Sequence, residues 1–144
     1  MDSLTVAGSL ESLGAVRAYV MAAAAAAGLD RKTAYRLILA VDEIATNSVV
    51  HGYVEANRQG PLSVSADISP SSLKITIEDA GLPFDPHRIP PPDTLDTPLE
   101  QRNIGGLGVY LALKSVDEYI YEYVGDKNRH VLIMNVTAGT GPVV

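Results

Sequence analysis

The chain opens with a short β-prone run and then changes to a pattern typical of helices. Leu4-Thr5-Val6-Ala7 predicts a first strand that ends at Gly8. Beyond it, an alanine-rich stretch with six consecutive alanines, Ala22 to Ala27, strongly favours a helix. Ser9 is the expected N-cap of this helix, and Gly28 is the expected C-cap. Its small residues also permit close packing against another helix, within the domain or in a homodimer.

A second helix is predicted directly after the first, with Asp30 as its N-cap. Its apolar residues recur close to helical spacing at Leu37, Ile38, Val41, Ile44, Ala45 and Val49. The pattern predicts a helix that reaches about Val50 and ends near Gly52. Polar groups in the middle of this apolar stretch call for an explanation, because burying an unpaired polar group is costly.

Alternating apolar and polar residues predict four further strands in the second half of the chain. These strands are Leu62–Ile68, Leu73–Ile77, Tyr119–Val124 and His130–Val136. The first two flank a turn at Ser69-Pro70-Ser71 and form a hairpin with one buried face. The last two are joined by a turn at residues 125–128 and are preceded by a helix over Val109–Lys114.

The order of these elements predicts the fold class. Helices on one face of a mostly antiparallel sheet form a two-layer α+β sandwich. Without a visible linker or internal repeat, the 144 residues are read as a single domain, 1–144. Residues 82 to 104 contain six prolines, which exclude a long helix or a central strand there. A loop of that length in a compact domain is functional or mobile.

Composition and charge narrow the function classes. The absence of cysteine excludes a disulfide framework, a thiol nucleophile and a Cys-based zinc site, and it fits a cytoplasmic protein. A net charge of −6 without a basic stripe argues against direct nucleic-acid binding. The longest apolar run, Ala18 to Leu29, is too short to span a membrane, and no basic segment precedes it to form a signal peptide.

Three polar residues of the second predicted helix are candidates for chemistry. Glu43, Asn47 and His51 are spaced by four residues and therefore lie along one side of a helix. A solvated polar stripe is the alternative. An amide oxygen is a hard, neutral ligand suited to Mg²⁺ beside phosphate oxygens. A carboxylate one turn earlier is placed to accept a proton, whereas His51 is interpreted as a structural group at the helix end.

Two glycine-containing segments complete the candidate site. Asp79-Ala80-Gly81 ends a strand, and its carboxylate is an acceptor for an exocyclic amine, with a glycine that lets the backbone pass close to a flat ring. Gly105-Gly106-Leu107-Gly108 precedes a helix, where converging N–H groups favour an anion. Each segment alone also fits an ordinary turn. Tyr119, Tyr121 and Tyr123 alternate on one strand face and are interpreted as packing or partner surface.

In combination, the three segments resemble the ATP-binding boxes of a known family. Glu43–Gly52 resembles the N-box of the GHKL, or histidine-kinase-like, ATPases, which include gyrase, histidine kinases and mismatch-repair ATPases. Asp79–Pro86 resembles their G1 box, and Gly105–Gly108 resembles their G2 box. The resemblance covers about Thr5 to Val136. The compact length and the form of the N-box are similar to the anti-sigma-factor serine/threonine kinases, the RsbW-like branch.

This resemblance implies a role for each matching residue. Glu43 becomes the general base, Asn47 a ligand of Mg²⁺ and nucleotide, and Asp79 the contact of the adenine amine beside Gly81. The residues by the phosphates are Gly105, Gly106, Leu107 and Gly108. The segment 82–104 becomes the ATP lid, in which Arg102 either reaches a phosphate or is a solvated loop charge.

The resemblance also implies an activity, which the sequence leaves with two alternatives. The leading expectation is an ATP- and Mg²⁺-dependent serine/threonine kinase that phosphorylates a STAS-type anti-sigma-factor antagonist and sequesters a sigma factor or another regulator. The first alternative is a kinase-like nucleotide-binding module that acts by sequestration alone. The second is the catalytic domain of a histidine kinase. Pro83 favours the module, because the family's G1 box has a second glycine there and proline fixes φ.

Overall fold

The computed structural model describes residues 1–86 and 104–136, and for residues 104–108 it describes the course of the backbone only. The α-helices of this part are α1 (Leu13–Ala27), α2 (Arg31–Asn47) and α3 (Ile104–Ser115). The strands are β1 (Leu4–Ala7), β2 (Pro61–Ile68), β3 (Ser72–Asp79), β4 (Glu118–Val124) and β5 (Lys127–Asn135). A 3₁₀ turn, Leu10–Ser12, precedes α1, and a π-helical segment, Ser48–Val54, continues α2.

The strands form one sheet in the order β1-β2-β3-β5-β4, and each neighbouring pair is antiparallel. Helix α1 packs on β2 and β3, α2 packs on β5 and on α1, and α3 packs on α2. The helices therefore cover one face of the sheet. This arrangement confirms the predicted α+β sandwich.

The core between the two layers consists of aliphatic side chains. Val20 and Leu37 from the helices meet Leu73, Ile75 and Leu132 from the strands, and each of them is at most 1% exposed. Full burial of one such side chain stabilises the fold by about 1.5–3 kcal/mol. The predicted hairpin is confirmed, since alternate residues of β2 and β3 point into this core.

The ends of the first two helices agree with the sequence at two of four places, Gly28 and Asp30. Gly28 ends α1 with a left-handed φ of 76°, and the Asp30 carboxylate accepts a 2.7 Å hydrogen bond from the Thr33 N–H. The expectation for Ser9 was wrong, because its side chain makes no capping bond. Its hydroxyl lies 3.3 Å from the Ser12 hydroxyl, and the 3₁₀ turn separates it from α1.

The predicted end of the second helix was also wrong. Helix α2 ends at Asn47, and the chain continues to Val54 as a π-helix with five-residue hydrogen bonds such as Glu55 N–H to Val50 O, 2.8 Å. The wider turn buries the pairs Ser48–Val49 and Gly52–Tyr53. A π turn changes which residues share a face, and such turns are frequent at functional sites.

Two further boundaries differ from the sequence prediction. Helix α3 begins at Ile104 rather than Val109. Strand β5 begins at Lys127, so the turn contains only Gly125 and Asp126, whose φ angles are 61° and 59°. Two successive positive φ values are those of a two-residue type I′ hairpin. Asn128, which the sequence analysis placed in the turn, is therefore a strand residue.

By length and composition alone, Leu10–Ala27 is apolar enough to cross a membrane. The same segment contributes Val16, Val20, Ala23 and Ala24 to the core. Because α1 packs on α2 and the sheet through these residues, we interpret it as a core helix of the sandwich.

Candidate functional site

Polar side chains interrupt the buried face of the sheet at one end. Residues 73, 75 and 77 of β3 point into the core, and the next residue on that face is Asp79. On β5, the same face continues from Leu132 to His130 and Asn128. Asp79 pairs with Asn128 in register, and all three polar side chains are at most 2% exposed. Buried polar groups of this kind require partners, so their contacts define the site.

The Asp79 carboxylate is bound through one of its two oxygens. Oδ1 accepts hydrogen bonds from the Gly81 N–H at 2.8 Å and from Asn128 Nδ2 at 2.9 Å. Oδ2 is buried and has no hydrogen-bond partner in the described part of the chain, and His130 Nε2 lies 3.9 Å from it. Burial raises the pKa of Asp79, and the bonds from Asn128 and Gly81 and the nearby Ser48 hydroxyl oppose that rise. An orphaned acceptor in this position is suited to a donor from a ligand.

A second group of hydrogen-bonded side chains lies beside this carboxylate. The Tyr119 hydroxyl is 2.6 Å from His130 Nδ1, and the Ser48 hydroxyl is 3.5 Å from His130 Nε2. Burial raises the pKa of Tyr119 far above its ordinary value, so its hydroxyl stays protonated. The expectation that Tyr119 and Tyr121 serve only packing or a partner surface was incomplete, because both hydroxyls bind buried polar groups.

Gly81 is also required by the packing of the protein itself. A Cβ on Gly81 would lie 2.6 Å from the Gly52 Cα, so the two backbones cross where neither residue has a side chain. The Leu82 N–H donates to the Gly52 carbonyl at 3.2 Å and fixes this crossing. Gly81 thus allows the end of β3 to contact the π-helical segment. Its φ is not positive, because the described glycines with a positive φ are Gly28 and Gly125.

Tyr53 supports the same crossing from beneath. Its hydroxyl accepts a 2.7 Å hydrogen bond from the Ala80 N–H and donates one of 2.6 Å to the Pro61 carbonyl. Burial raises the pKa of this hydroxyl, so it remains a donor at neutral pH. His51 completes the arrangement: its ring stacks on Phe84 at 4.7 Å, and its Nδ1 is 2.5 Å from Glu55 Oε1. These contacts fit the structural role expected for His51.

Asn47, at the end of α2, is a buried amide. It is 8% exposed, and its side-chain nitrogen has no hydrogen-bond partner among the described residues. No cluster of three His, Cys, Asp or Glu side chains suited to a metal occurs within residues 1–86 and 104–136. The Asn47 amide oxygen is a neutral ligand of the kind that suits Mg²⁺ beside phosphate and water oxygens.

Glu43 lies one turn before Asn47 and is half-buried. It lines a cavity of about 110 Å³ together with Leu39, Leu111, Ala112 and Ser115, between α2 and α3. This space admits a few water molecules but is smaller than ordinary ligand pockets. Within the described residues Glu43 has no hydrogen bond or ion pair, whereas its neighbour Asp42 is paired with Arg17 at 3.1 Å.

The glycine-rich segment was predicted to precede a helix, and this was wrong. Gly105 to Gly108 form the first turn of α3. The first four N–H groups of a helix have no partner inside it, so glycines here leave backbone donors accessible at the positive end of the helix dipole. The phosphate role predicted for the segment is thereby compatible with its helical form. Arg102 and most of the predicted lid, 82–104, lie outside the described residues.

Cavity size alone does not locate the site. A cavity of about 810 Å³ lies at the end of β1, where the 3₁₀ turn, the end of the π-helical segment and the start of β2 meet. Its charged residues are Glu11 and Arg58, and none of the predicted site residues lines it. The buried polar side chains Asp79, Asn128 and His130 instead lie at the end of β3 and the start of β5.

Sequence analysis missed Asn128, His130, Tyr53 and Ser48. A signal for two of them was present, because Asn128 and His130 alternate with Leu132 and Met134 on a face that must be buried. Extending the predicted strand two residues towards its start would have placed Asn128 opposite Asp79. The chain holds no comparable signal for Ser48 and Tyr53, whose burial follows from the π turn.

Comparisons with known proteins identify the family of this chain. Residues 6–136 match the histidine kinase-like ATPase domain. The chain is also 32% identical over 111 residues to the serine-protein kinase RsbW of Bacillus velezensis, and the alignment spans 75% of this chain and 69% of that relative. The chain therefore belongs to the histidine kinase-like ATPase family, as an RsbW-like member.

Proposed function

We propose that this protein is an ATP-dependent serine/threonine kinase that acts as an anti-sigma factor in a partner-switching system. Its substrate is a STAS-type antagonist protein, and its second partner is a sigma factor or another regulator that it sequesters. The observation that carries the proposal is the buried Asp79 carboxylate, with one oxygen bound by two donors and the other without a partner. The likeness to a serine-protein kinase supports the same conclusion.

At the base end, Asp79 Oδ2 accepts a hydrogen bond from the exocyclic amine of adenine. The ionised carboxylate is an acceptor only, so it favours a base with an amine over one with a carbonyl at that position. Hydrogen bonds from Asn128 and Gly81 favour the ionised form against the effect of burial. The crossing of Gly81 and Gly52 brings the strand end against the helix that carries Asn47.

At the phosphate end, Asn47 would hold Mg²⁺ through its amide oxygen, and the N–H groups of residues 105–108 bind phosphate oxygens. When bound, Mg²⁺ neutralises phosphate charge and orients the transferred group. Glu43 takes the proton of the acceptor hydroxyl as that oxygen forms a bond to the γ-phosphorus. The bond between the γ-phosphorus and the β–γ bridging oxygen breaks, and ADP leaves. Positioning and charge neutralisation supply most of the catalysis in such reactions.

The hydrogen bonds on either side of Pro83 support the kinase over the module, although the family's G1 box has a glycine at this position. On either side of it, the Leu82 N–H donates to the Gly52 carbonyl and the Phe84 N–H donates to Asn128 Oδ1 at 3.1 Å. Pro83 itself is exposed and has no N–H to satisfy. A proline therefore fits this loop without losing a hydrogen bond.

A sequestering module without phosphotransfer is the second candidate. One observation favours it: the cavity that Glu43 lines has mostly apolar walls, from Leu39, Leu111 and Ala112. In this case ATP binding changes only the affinity for the partner. Both candidates act on a cytoplasmic regulatory protein, and neither requires contact with nucleic acid or membrane.

The decisive experiment incubates the protein with γ-labelled ATP, Mg²⁺ and STAS-type antagonists encoded in the same genome. The proposal expects label on one serine or threonine of an antagonist, and no label when that residue is replaced by alanine. ATP binding with stable antagonist binding but no transfer would establish the module instead. Absence of ATP binding would exclude both.

A further inference from the structure

Asn128 is the most connected polar side chain next to the candidate site. It is 1% exposed, and hydrogen bonds occupy every donor and acceptor position of its amide. Nδ2 donates to Asp79 Oδ1 and to the Leu82 carbonyl, both at 2.9 Å, with the Gly81 carbonyl at 3.4 Å. Oδ1 accepts from the Phe84 N–H at 3.1 Å and from the Tyr121 hydroxyl.

These partners fix the orientation of the amide. Carboxylate and carbonyl oxygens surround Nδ2, and an N–H and a hydroxyl face Oδ1. If the amide were rotated so that its two atoms changed places, acceptor would face acceptor and donor would face donor. Because the orientation is fixed, Asn128 always binds the same oxygen of Asp79. The other oxygen, Oδ2, is buried and has no hydrogen-bond partner among the described residues.

Asn128 also ties the loop that follows Asp79 to the sheet. Leu82 and Phe84 are bound to it through their backbones, and this loop leads directly into the predicted lid. A single side chain on β5 thus holds both the base-contacting carboxylate and the start of the lid. The stacking of Phe84 on His51 adds a second point of attachment for the same loop.

We propose that Asn128, supported by the Tyr121 hydroxyl, is a positioning residue for base recognition, which presents Asp79 Oδ2 to an exocyclic amine and couples the bound base to the loop at 82–84. This inference rests on the proposed nucleotide-binding function. It goes further in naming a residue that acts through Asp79, and in naming the class of ligand atom that it selects.

The test compares affinity for ATP with affinity for inosine triphosphate, which has a carbonyl in place of the adenine amine. A hydrogen bond to a charged group contributes enough for about a tenfold or greater preference for ATP in the wild type. Asn128→Ser removes the bonds to Asp79 and to the loop, so the preference should fall by about fivefold or more. Asn135→Ser, at an exposed position of the same strand, is the matched control and should leave the preference unchanged.

A milder pair of variants keeps the inference testable if Asn128→Ser does not fold. Tyr121→Phe removes only the hydroxyl that donates to Asn128, whereas Tyr123→Phe removes an exposed hydroxyl on the same face of the same strand. We expect a reduced preference for ATP of about twofold to fivefold in the first variant and no change in the second. Equal preferences in the wild type, Tyr121→Phe and any folded Asn128→Ser would overturn the inference.

The pH dependence of ATP binding gives a second measurement, which would not change if the role of Asn128 were merely structural. The titratable groups facing Asp79 are Tyr53 on the π-helical segment, His130 on β5 and Tyr121 on β4. The bond from Asn128 lowers the pKa of Asp79, so its loss raises that pKa. As the solution is acidified, ATP binding by the Asn128→Ser variant should therefore begin to weaken at a higher pH than ATP binding by the wild type.

The outcomes separate this inference from the proposed function. A wild type that binds neither ATP nor inosine triphosphate contradicts the proposed function itself. A wild type that prefers ATP, with the same preference and the same pH profile in a folded Asn128→Ser variant, contradicts only the role of Asn128. The role of Asn128 is supported if Asn128→Ser has a lower preference for ATP and if its ATP binding weakens at a higher pH than that of the wild type.

Discussion

The two ends of the candidate site differ in how completely the protein itself satisfies their polar groups. At the base end, Asp79 Oδ1 and Asn128 lie in a buried hydrogen-bond network, and Asp79 Oδ2 is the acceptor left over. At the helix end, Glu43 has no hydrogen bond or ion pair in the described part of the chain, and the Asn47 side-chain nitrogen is buried without a partner.

This difference indicates which end is built before the ligand arrives. Buried networks whose members are satisfied hold their side chains in one arrangement, which is what base recognition requires. In the proposed function, the unpartnered groups on α2 contact the cation and the acceptor hydroxyl only when these are bound. Changes at the base end should therefore alter affinity and stability together, whereas changes at the helix end should alter rate or affinity and leave stability nearly unchanged.

The largest expected effect comes from Glu43→Gln at the helix end. The amide keeps the shape of the side chain but cannot take a proton from the acceptor hydroxyl. Since a positioned base typically contributes about 10²–10⁴-fold, single-turnover phosphotransfer should fall within that range. ATP affinity and melting temperature should stay close to those of the wild type.

Asp42→Asn is the control for this change, because Asp42 is the adjacent carboxylate and is paired with Arg17 on the outside of the helices. It should transfer phosphate at nearly the wild-type rate. If a folded, ATP-binding Glu43→Gln protein transfers phosphate as fast as the wild type, Glu43 is not the base.

The next effect comes from Asp79→Asn at the base end. The substitution replaces the ionised acceptor with an amide that presents either a neutral oxygen or an N–H to the adenine amine. Hydrogen bonds to charged groups are stronger than neutral ones, so ATP affinity should fall by roughly 10- to 100-fold. Calorimetric titration measures this, and an unchanged affinity would exclude Asp79 from base recognition.

The sequence predicted the architecture well where hydrophobic spacing was unambiguous. Strands β2 and β3 and helix α1 follow from alternation and from the alanine run, because their buried faces leave little choice of register. The ends of elements were less predictable. The π-helical continuation of α2 depends on burying Ser48, Val49, Gly52 and Tyr53, which is a tertiary effect without a local signal.

The candidate site was predictable by residue type but not by contact. Glu43, Asn47 and Asp79 carry recognisable chemistry in recognisable spacing, and the family resemblance connects them. The partners of Asp79 come from elsewhere in the chain: Asn128 lies 49 positions further along and reaches it only through the β3–β5 register. Gly81 is a second example, because a side chain at this position would collide with the backbone of Gly52, which is distant in the sequence.

A smaller effect is expected for Asn47→Ala. Loss of one neutral oxygen ligand should weaken Mg²⁺-dependent ATP binding on the order of tenfold, by analogy with the loss of groups that support a metal site. Stability should change little, because the amide nitrogen has no protein partner to lose. Titrations with and without Mg²⁺ check the prediction, and equal affinities of variant and wild type in Mg²⁺ would remove Asn47 from the cation site.

The smallest effect concerns the pH dependence of stability and uses Asp79→Asn as the reference. Burial raises the pKa of Asp79 above its ordinary value of 3.8, so the folded protein binds a proton at a pH where the unfolded chain does not. The ionised carboxylate therefore costs stability near neutral pH. That cost disappears as the pH falls through the raised pKa towards 3.8. Each unit by which the pKa is raised corresponds to about 1.4 kcal/mol, and the bonds from Asn128 and Gly81 limit the rise.

Urea unfolding of wild type and Asp79→Asn at a series of pH values, without nucleotide, measures this cost as the difference between two free energies of unfolding. The wild type should gain stability relative to the variant on acidification, because only the wild type has a carboxyl to protonate at this position. All other titrating groups are common to both proteins and cancel to first order in the difference. A difference that stays constant with pH would mean that the donors balance burial. A wild type that loses stability relative to the variant on acidification would mean that the donors outweigh burial. The base end would then be stabilised by its carboxylate even without a ligand.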